Sequence, residues 1–247
     1  MMHKTILAAL LLVSIEANKP VVFDGVSVLQ KMHSTYAGKW YKTFTFDQTT
    51  EIYRNDSLRR TETWYEAISF PDKFRIDFGN IDSGNAAVFK GDSVYNFRRG
   101  ILRSTRKDAN DLTFLLGGMY FYPFDRTAAI MKQLGYDLSR SFETTWKGNP
   151  VYVIGANTEG EKINQLWIDK EKLAVVRMLK YENGRKEEGL FEEQLKLGGG
   201  WTETKATFYL DDKLVQRELY HNCNANPVLD GRLFEPADFG KWHWYKK

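Results

Sequence analysis

A single cysteine, Cys223, is all the thiol chemistry this chain carries, so an intramolecular disulfide is excluded and the fold must hold by packing. Cys223 itself reads as a small hydrophobe and not as a nucleophile. Proline is scarce, at six residues, while aromatics make up 15%, a combination that argues against disorder and low complexity. Charge of one sign is lacking as well. The formal net charge is +3, with Lys and Arg spread along the chain, and no nucleic-acid partner is expected. Histidine is rare: apart from His3 there are His33, His221 and His243, and none lies in HExxH or beside CxxC. GxSxG, GxGxxG and GxxxxGK[ST] are all missing, so serine hydrolysis and nucleotide binding have no motif behind them. No catalytic residue, metal or cofactor is assigned, and the chain reads as a non-enzyme.

Long hydrophobic runs are missing too. The run at residues 6–13, preceded by Lys4 and followed by the small Ala17, is too short to span a bilayer. It reads as a secretory signal peptide over residues 1–17, with Glu16 an imperfect neighbour to the cut. No cysteine lies near that point to carry a lipid anchor. The remainder, residues 18–247, is expected to be one domain outside the cytoplasm, since all-β domains of this length are common.

What is present is organised around residues 61–106. Phe74, Ile76 and Phe78 alternate with Lys73, Arg75 and Asp77, the period of a strand with one dry and one wet face. Gly91-Asp92 suits a two-residue type II′ hairpin between residues 86–90 and 93–98. That loop pairs Lys90 with Ser93, so Val88 faces Tyr95 and Ala86 faces Phe97, and this side is read as continuous with Phe74, Ile76 and Phe78. Upstream, Asp24 can cap a helix to about Ala37 with Val26, Leu29, Met32 and Tyr36 near one face. Strands follow at 44–53 and 61–70, turned by Asn55-Asp56-Ser57 and stopped by Pro71. From Ser141 onward, period-two runs are punctuated by Lys147-Gly148-Asn149-Pro150, Lys170-Glu171-Lys172, Asn183-Gly184 and Asp211-Asp212-Lys213. Successive hairpins without long crossovers predict an antiparallel meander that curls toward a barrel.

Between the two sets of strands lies an apolar insertion. Asp111 is a cap candidate for LTFLLGGMYFYPF, interrupted by Gly117-Gly118, and Asp125 or Thr127 for the short helix AAIMKQLG. Two readings stand: a helix plugging the core, or a lid over a cavity that flexes at Gly117-Gly118. Two charged groups are ambiguous in the same way. Glu187, Glu188, Glu192 and Glu193 form either a cation site or the solvated face of strands. Arg98, Arg99, Arg103, Arg106 and Lys107 suit an anionic head group, an acidic partner, or a charged hairpin that resists edge pairing.

In order, the N-terminal helix, FPDKFRIDFG, KGDSVYNF, the helical insertion, NQLWIDKEKLAVVRM and the tail NPVLDGRLFEPADF resemble the LolA/LolB-like family of periplasmic lipoprotein carriers over most of the chain. The resemblance implies a mainly β (α+β) fold, a curved antiparallel half-barrel closed by short helices. It further implies a periplasmic protein with a cavity that accepts the acyl chains of lipoproteins or lipids. As partners it implies an inner-membrane releasing transporter and an outer-membrane acceptor, and a monomer is expected. Without an anchoring cysteine, the soluble shuttle fits better than the anchored acceptor. One departure concerns the lid: the best-known carriers place an Arg before the strand-ending Pro, whereas Phe70 precedes Pro71 here.

Physics supports a carrier independently. Each buried methylene is worth ~0.8 kcal/mol, so a long acyl chain in water costs on the order of ten kcal/mol, which apolar surface must offset. The expected lipid-binding residues are Phe74, Ile76, Phe78, Val88, Tyr95 and Phe97 from the sheet. From the insertion they are Leu112, Leu115, Leu116, Met119, Ile130 and Met131. Two alternatives remain open at this point. One is a periplasmic sensor or regulatory module on the same fold; the other is a hydrolase, motivated only by scattered His and carboxylates.

Overall fold

The computed structural model describes residues 24–244; the segment read as a signal peptide lies outside them. Helix α1 (Gly25–Tyr36) starts where the Asp24 carboxylate accepts from the Ser27 N–H at 2.8 Å. Its buried face is Val28, Leu29, Met32, His33 and Tyr36, whereas Val26 is exposed. Leu29, Met32 and Tyr36 lie on the face expected for them, and Val28 takes the place expected of Val26, still at helical spacing. A long hairpin follows, β1 (Thr43–Arg54) and β2 (Ser57–Ser69), turned by Asn55 and Asp56 at positive φ. Then come β3 (Lys73–Phe78), β4 (Ala86–Lys90), β5 (Ser93–Arg98) and β6 (Ile101–Lys107). The insertion comprises α2 (Asp111–Leu115), a 3-10 turn Gly118–Phe121 and α3 (Phe124–Gln133).

The second set of strands is β7 (Ser141–Trp146), β8 (Asn149–Ile154), β9 (Gln165–Asp169), β10 (Val175–Glu182) and β11 (Arg185–Glu192). A small hairpin, β12 (Leu195–Leu197) and β13 (Gly200–Thr202), precedes β14 (Lys205–Leu210) and β15 (Lys213–Ala225). Thirteen strands form one antiparallel sheet in the order β6-β5-β4-β3-β2-β1-β15-β14-β11-β10-β9-β8-β7. It is an open, curved half-barrel with β6 and β7 as its edges. The chain leaves the first meander at one edge and enters the second at the other. The insertion between them therefore has to cross the sheet, and it does so on the concave side, packed with α1. Exposed β6 carries Arg103, Arg106 and Lys107, charges that discourage pairing with another chain.

Register decides which side chains face inward. The connection after β3 pairs Asp77 with Ala86, Ile76 with Ala87, Arg75 with Val88 and Phe74 with Phe89. Val88 and Ala86 oppose Tyr95 and Phe97 as expected, but this row lies on the face of Arg75 and Asp77, not on that of Phe74 and Ile76. An offset of one residue across the 79–85 connection swaps the faces, because side chains alternate with a period of two. The supposed wet face is also dry. After β15 the chain, residues 226–244, folds over the outside of β3 and β4 with Leu233 and Phe234 buried. Phe239 stacks on Phe97 at 3.8 Å and lies beneath the Arg75 guanidinium at 4.9 Å.

Under this strap Arg75 and Asp77 form a bidentate pair at 2.8 and 2.9 Å, with side-chain exposures of 1% and 4%. The guanidinium also donates to the carbonyls of Leu233 and Trp242. The ion pair thereby holds the strap to the sheet, and its partners are satisfied as burial demands. Asp77→Ala leaves a buried guanidinium without its carboxylate and should lower stability by about 3–5 kcal/mol in urea denaturation. A loss under about 1 kcal/mol would contradict this role.

Candidate functional site

On the concave face the inward positions of six strands meet. Phe44, Phe46, Gln48 and Thr50 of β1 are all buried on that side. Pairing sets Phe46 opposite Glu66 and Gln48 between Trp64 of β2 and Tyr220 of β15. Ile68, Phe74 and Ile76 extend the wall in one direction, and Phe191, Phe208, Gln216 and Glu218 in the other. Leu112 and Leu116 of the insertion face them across a cavity of about 360 Å³. Two neighbouring depressions, of about 440 and 390 Å³, meet the cavity at Asn110. Residues 109–113 thus partition one larger concavity.

The insertion is held at several points. Asn110, not Asp111, caps α2 by accepting from the Thr113 N–H at 2.8 Å, and Asp111 instead pairs with Lys180 of β10 at 3.2 Å. Helix α3 starts at Phe124, ahead of both expected caps, and the buried Thr127 hydroxyl donates to the Met119 carbonyl at 2.7 Å. Phe70 stacks on Phe121 at 5.6 Å and meets Tyr41 edge-on, so an aromatic contact ties the end of β2 to the insertion. Gly117 has an extended φ of 164°, and its role is close approach: a Cβ there would lie 2.5 Å from Trp40 and 2.8 Å from Phe70. The diglycine, the flexing point of the lid reading, is closely packed.

The expected lipid-binding residues separate into groups. Phe74, Ile76, Leu112 and Leu116 are brought together around the cavity. Ile130 lines the neighbouring depression beside Phe74 and Phe89. Phe78 faces inward but lies farther along, edge-on to Trp64 at 4.9 Å. Leu115, Met119 and Met131 belong to the solid core with α1. Val88, Tyr95 and Phe97 are placed on the outer face by register, with Val88 and Phe97 buried there. The insertion is therefore part plug, through Leu115, Met119 and Met131, and part cavity wall, through Leu112 and Leu116.

The main surprise is acidic. Glu66, Glu203 and Glu218 line the same cavity, each at least nine-tenths buried, and none of its lining residues is Lys, Arg or His. The Tyr220 hydroxyl donates to Glu218 at 3.1 Å and approaches Glu203 at 3.4 Å, and Gln216 Nε2 donates to Glu218. Burial raises the Glu66 carboxyl well above its ordinary value, with Glu218 and Glu203 adding repulsion. Burial likewise raises Glu218, and pushes Glu203 up to about 7. Two of these acids left a trace in the sequence: Glu66 is in phase with Trp64 and Ile68, and Glu218 with Gln216 and Tyr220. Glu203 left none. It is positioned by β12–β13, whose Gly200 lies so near Trp40 that a Cβ would come within 2.5 Å of its ring.

Other candidates lie elsewhere. His33 Nε2 bonds to the Tyr122 carbonyl at 2.8 Å and His221 meets the Thr49 hydroxyl at 3.1 Å, both away from the cavity. Glu188 pairs with Arg177 at 2.7 Å, and Glu192 with Lys147 and Lys205, so these two acids of the late run are neutralised by neighbouring strands. Cys223 is half-buried, and burial pushes its thiol up to about 11. Among the described residues no group of three or more His, Cys, Asp or Glu is arranged to hold a metal ion. No helix there is long and apolar enough to cross a membrane.

The raised Glu203 carries a pH signature. In the unfolded chain a Glu ionises near 4.5, whereas folded Glu203 keeps its proton to about 7. Between these values the unfolded state binds fewer protons, so stability falls as pH rises. Glu203→Gln should flatten the decline in urea midpoint between pH 4.5 and 7.5 relative to the unsubstituted protein. Parallel pH profiles for the two would contradict it.

No family model and no curated protein matches the chain at the level of sequence. Solved structures do share its fold. A DUF1329 family protein from Desulfovibrio piger superposes with a TM-score of 0.59 at 15% identity, over 87% of this chain and 97% of that one. A LolA superfamily protein from Nitrosomonas europaea gives 0.55 at 13% identity, over 86% and 97%. An outer membrane lipoprotein-sorting protein domain from Vibrio parahaemolyticus gives 0.57 at 10% identity, again over 86% and 97%. At such identities the likeness is one of architecture, and the architecture is the LolA-like half-barrel.

Proposed function

We propose that this chain is a non-catalytic carrier that takes acyl chains of lipoproteins or lipids into its concave cavity and moves them through the periplasm toward the outer membrane. Residues 18–247 form the carrier domain in this reading, released from the leader at 1–17. The observation that carries it is the cavity itself, about 360 Å³, walled by Phe44, Phe46, Trp64, Phe74 and Leu116. That volume falls within the ~300–1,000 Å³ of ligand sites, and an apolar guest is what such walls favour. The fold shared with proteins named for LolA and for lipoprotein sorting supports the same direction. A shuttle further requires a membrane transporter that loads it and an acceptor that unloads it. Release is served by the split character of the insertion, in which Leu112 and Leu116 touch the guest while Leu115 and Met119 stay in the core.

Paired substitutions test the reading. Leu116→Glu should cut uptake of a fluorescent acyl probe at least tenfold while the protein stays folded, because Leu116 faces the cavity. Leu115→Ala, in the core at 2% exposure, should cost about 2–5 kcal/mol of stability. Absence of uptake by the unsubstituted protein, or unchanged uptake by Leu116→Glu, would overturn the proposal.

A further inference from the structure

The cavity is apolar on most of its walls, yet it holds three acids and no base. Elsewhere this chain matches its buried charges: Asp77 has Arg75, and Glu188 has Arg177. Glu66 is different. It is 5% exposed, faces the cavity, and its carboxyl has no hydrogen bond or ion pair among the described residues. A buried carboxylate lacking a donor is costly on its own, and a guest that brings N–H groups and positive charge relieves it. Trp64, Phe46 and Tyr220 add aromatic faces that favour a cation. An anionic head group would meet repulsion in the same place.

Building on the carrier reading, we propose that the cavity selects amphiphiles whose apolar tail bears a primary ammonium group, which donates to Glu66 while Glu203 and Glu218 supply further negative charge. A quaternary ammonium fits less well, since it has charge but no N–H to donate to Glu66.

The experiment is a competition series at one tail length against a bound fluorescent acyl probe, using octylammonium, octyltrimethylammonium, octanol and octanoate at pH 7.5. Octylammonium should bind at least tenfold tighter than octanol, octyltrimethylammonium should fall between them, and octanoate should be weakest. Glu66→Gln should collapse the ratio of octylammonium to octanol affinity to about one. Should that variant fail to fold, Glu203→Gln and Glu218→Gln should each reduce the ratio severalfold. The groups facing the bound ammonium are Glu66 of β2, Glu218 and Tyr220 of β15, Glu203 after β13, and Tyr41 before β1. As these acids ionise with rising pH, octylammonium should bind more tightly and octanoate less. Octanol binding with no preference for the ammonium would overturn this inference and leave the carrier reading intact. Displacement by none of the four, with no uptake of the acyl probe, would overturn both.

Discussion

Everything in this architecture depends on the pairing of β1 with β15. It joins an N-terminal meander and a C-terminal meander into one sheet, and it leaves β6 and β7, adjacent in sequence, at opposite edges. The segment linking those edges has to cross the sheet, and the curvature of a large twisted sheet gives it a concave side to cross. The chain continuing from β15 then meets the outer face of β3 and β4, where Arg75 and Asp77 receive it. Two coverings of opposite faces, the insertion inside and the strap outside, are thus consequences of one antiparallel register.

The coverings differ in completeness. Outside, Phe97 stacks on Phe239, the ion pair is satisfied, and Leu233 and Phe234 are buried. Inside, α3 and the 3-10 turn pack solidly against α1, but α2 stands off the sheet and leaves the cavity beneath Leu112 and Leu116. A vacancy flanked by aromatic rings and three acids is not what a stability-driven core would retain, since both the void and the unpaired acids weaken folding. Such local conflict within an otherwise consistent structure is a mark of function.

Much of the fold was legible in advance because strand alternation, turn residues and helix caps are local signals. Gly91-Asp92, Asn183-Gly184 and Asp24 acted where they were expected to. What escaped was long-range. The face of the Val88 row depended on a seven-residue connection whose register has no local marker, and the dryness of Arg75 depended on a segment some 160 residues later. For the cavity, Phe74 and Leu116 could be picked out as apolar residues in period, whereas Glu66 and Glu218 showed only their phase and Glu203 showed nothing. A glutamate in a strand reads as solvated unless the whole sheet is known to curve around it. Glu203 illustrates the limit, since the glycine-dependent approach of β13 to Trp40 places it.

The central claim is that the concave face is kept open for an apolar guest. Its most direct measurement is the pattern of intermolecular NOEs between a bound acyl chain and the protein. Contacts from the guest's methylenes to Phe46, Ile76 and Leu116, with none to Val88 or Phe97, are what a concave-face guest requires. Contacts confined to the outer face, or none to those three inward residues, would contradict it.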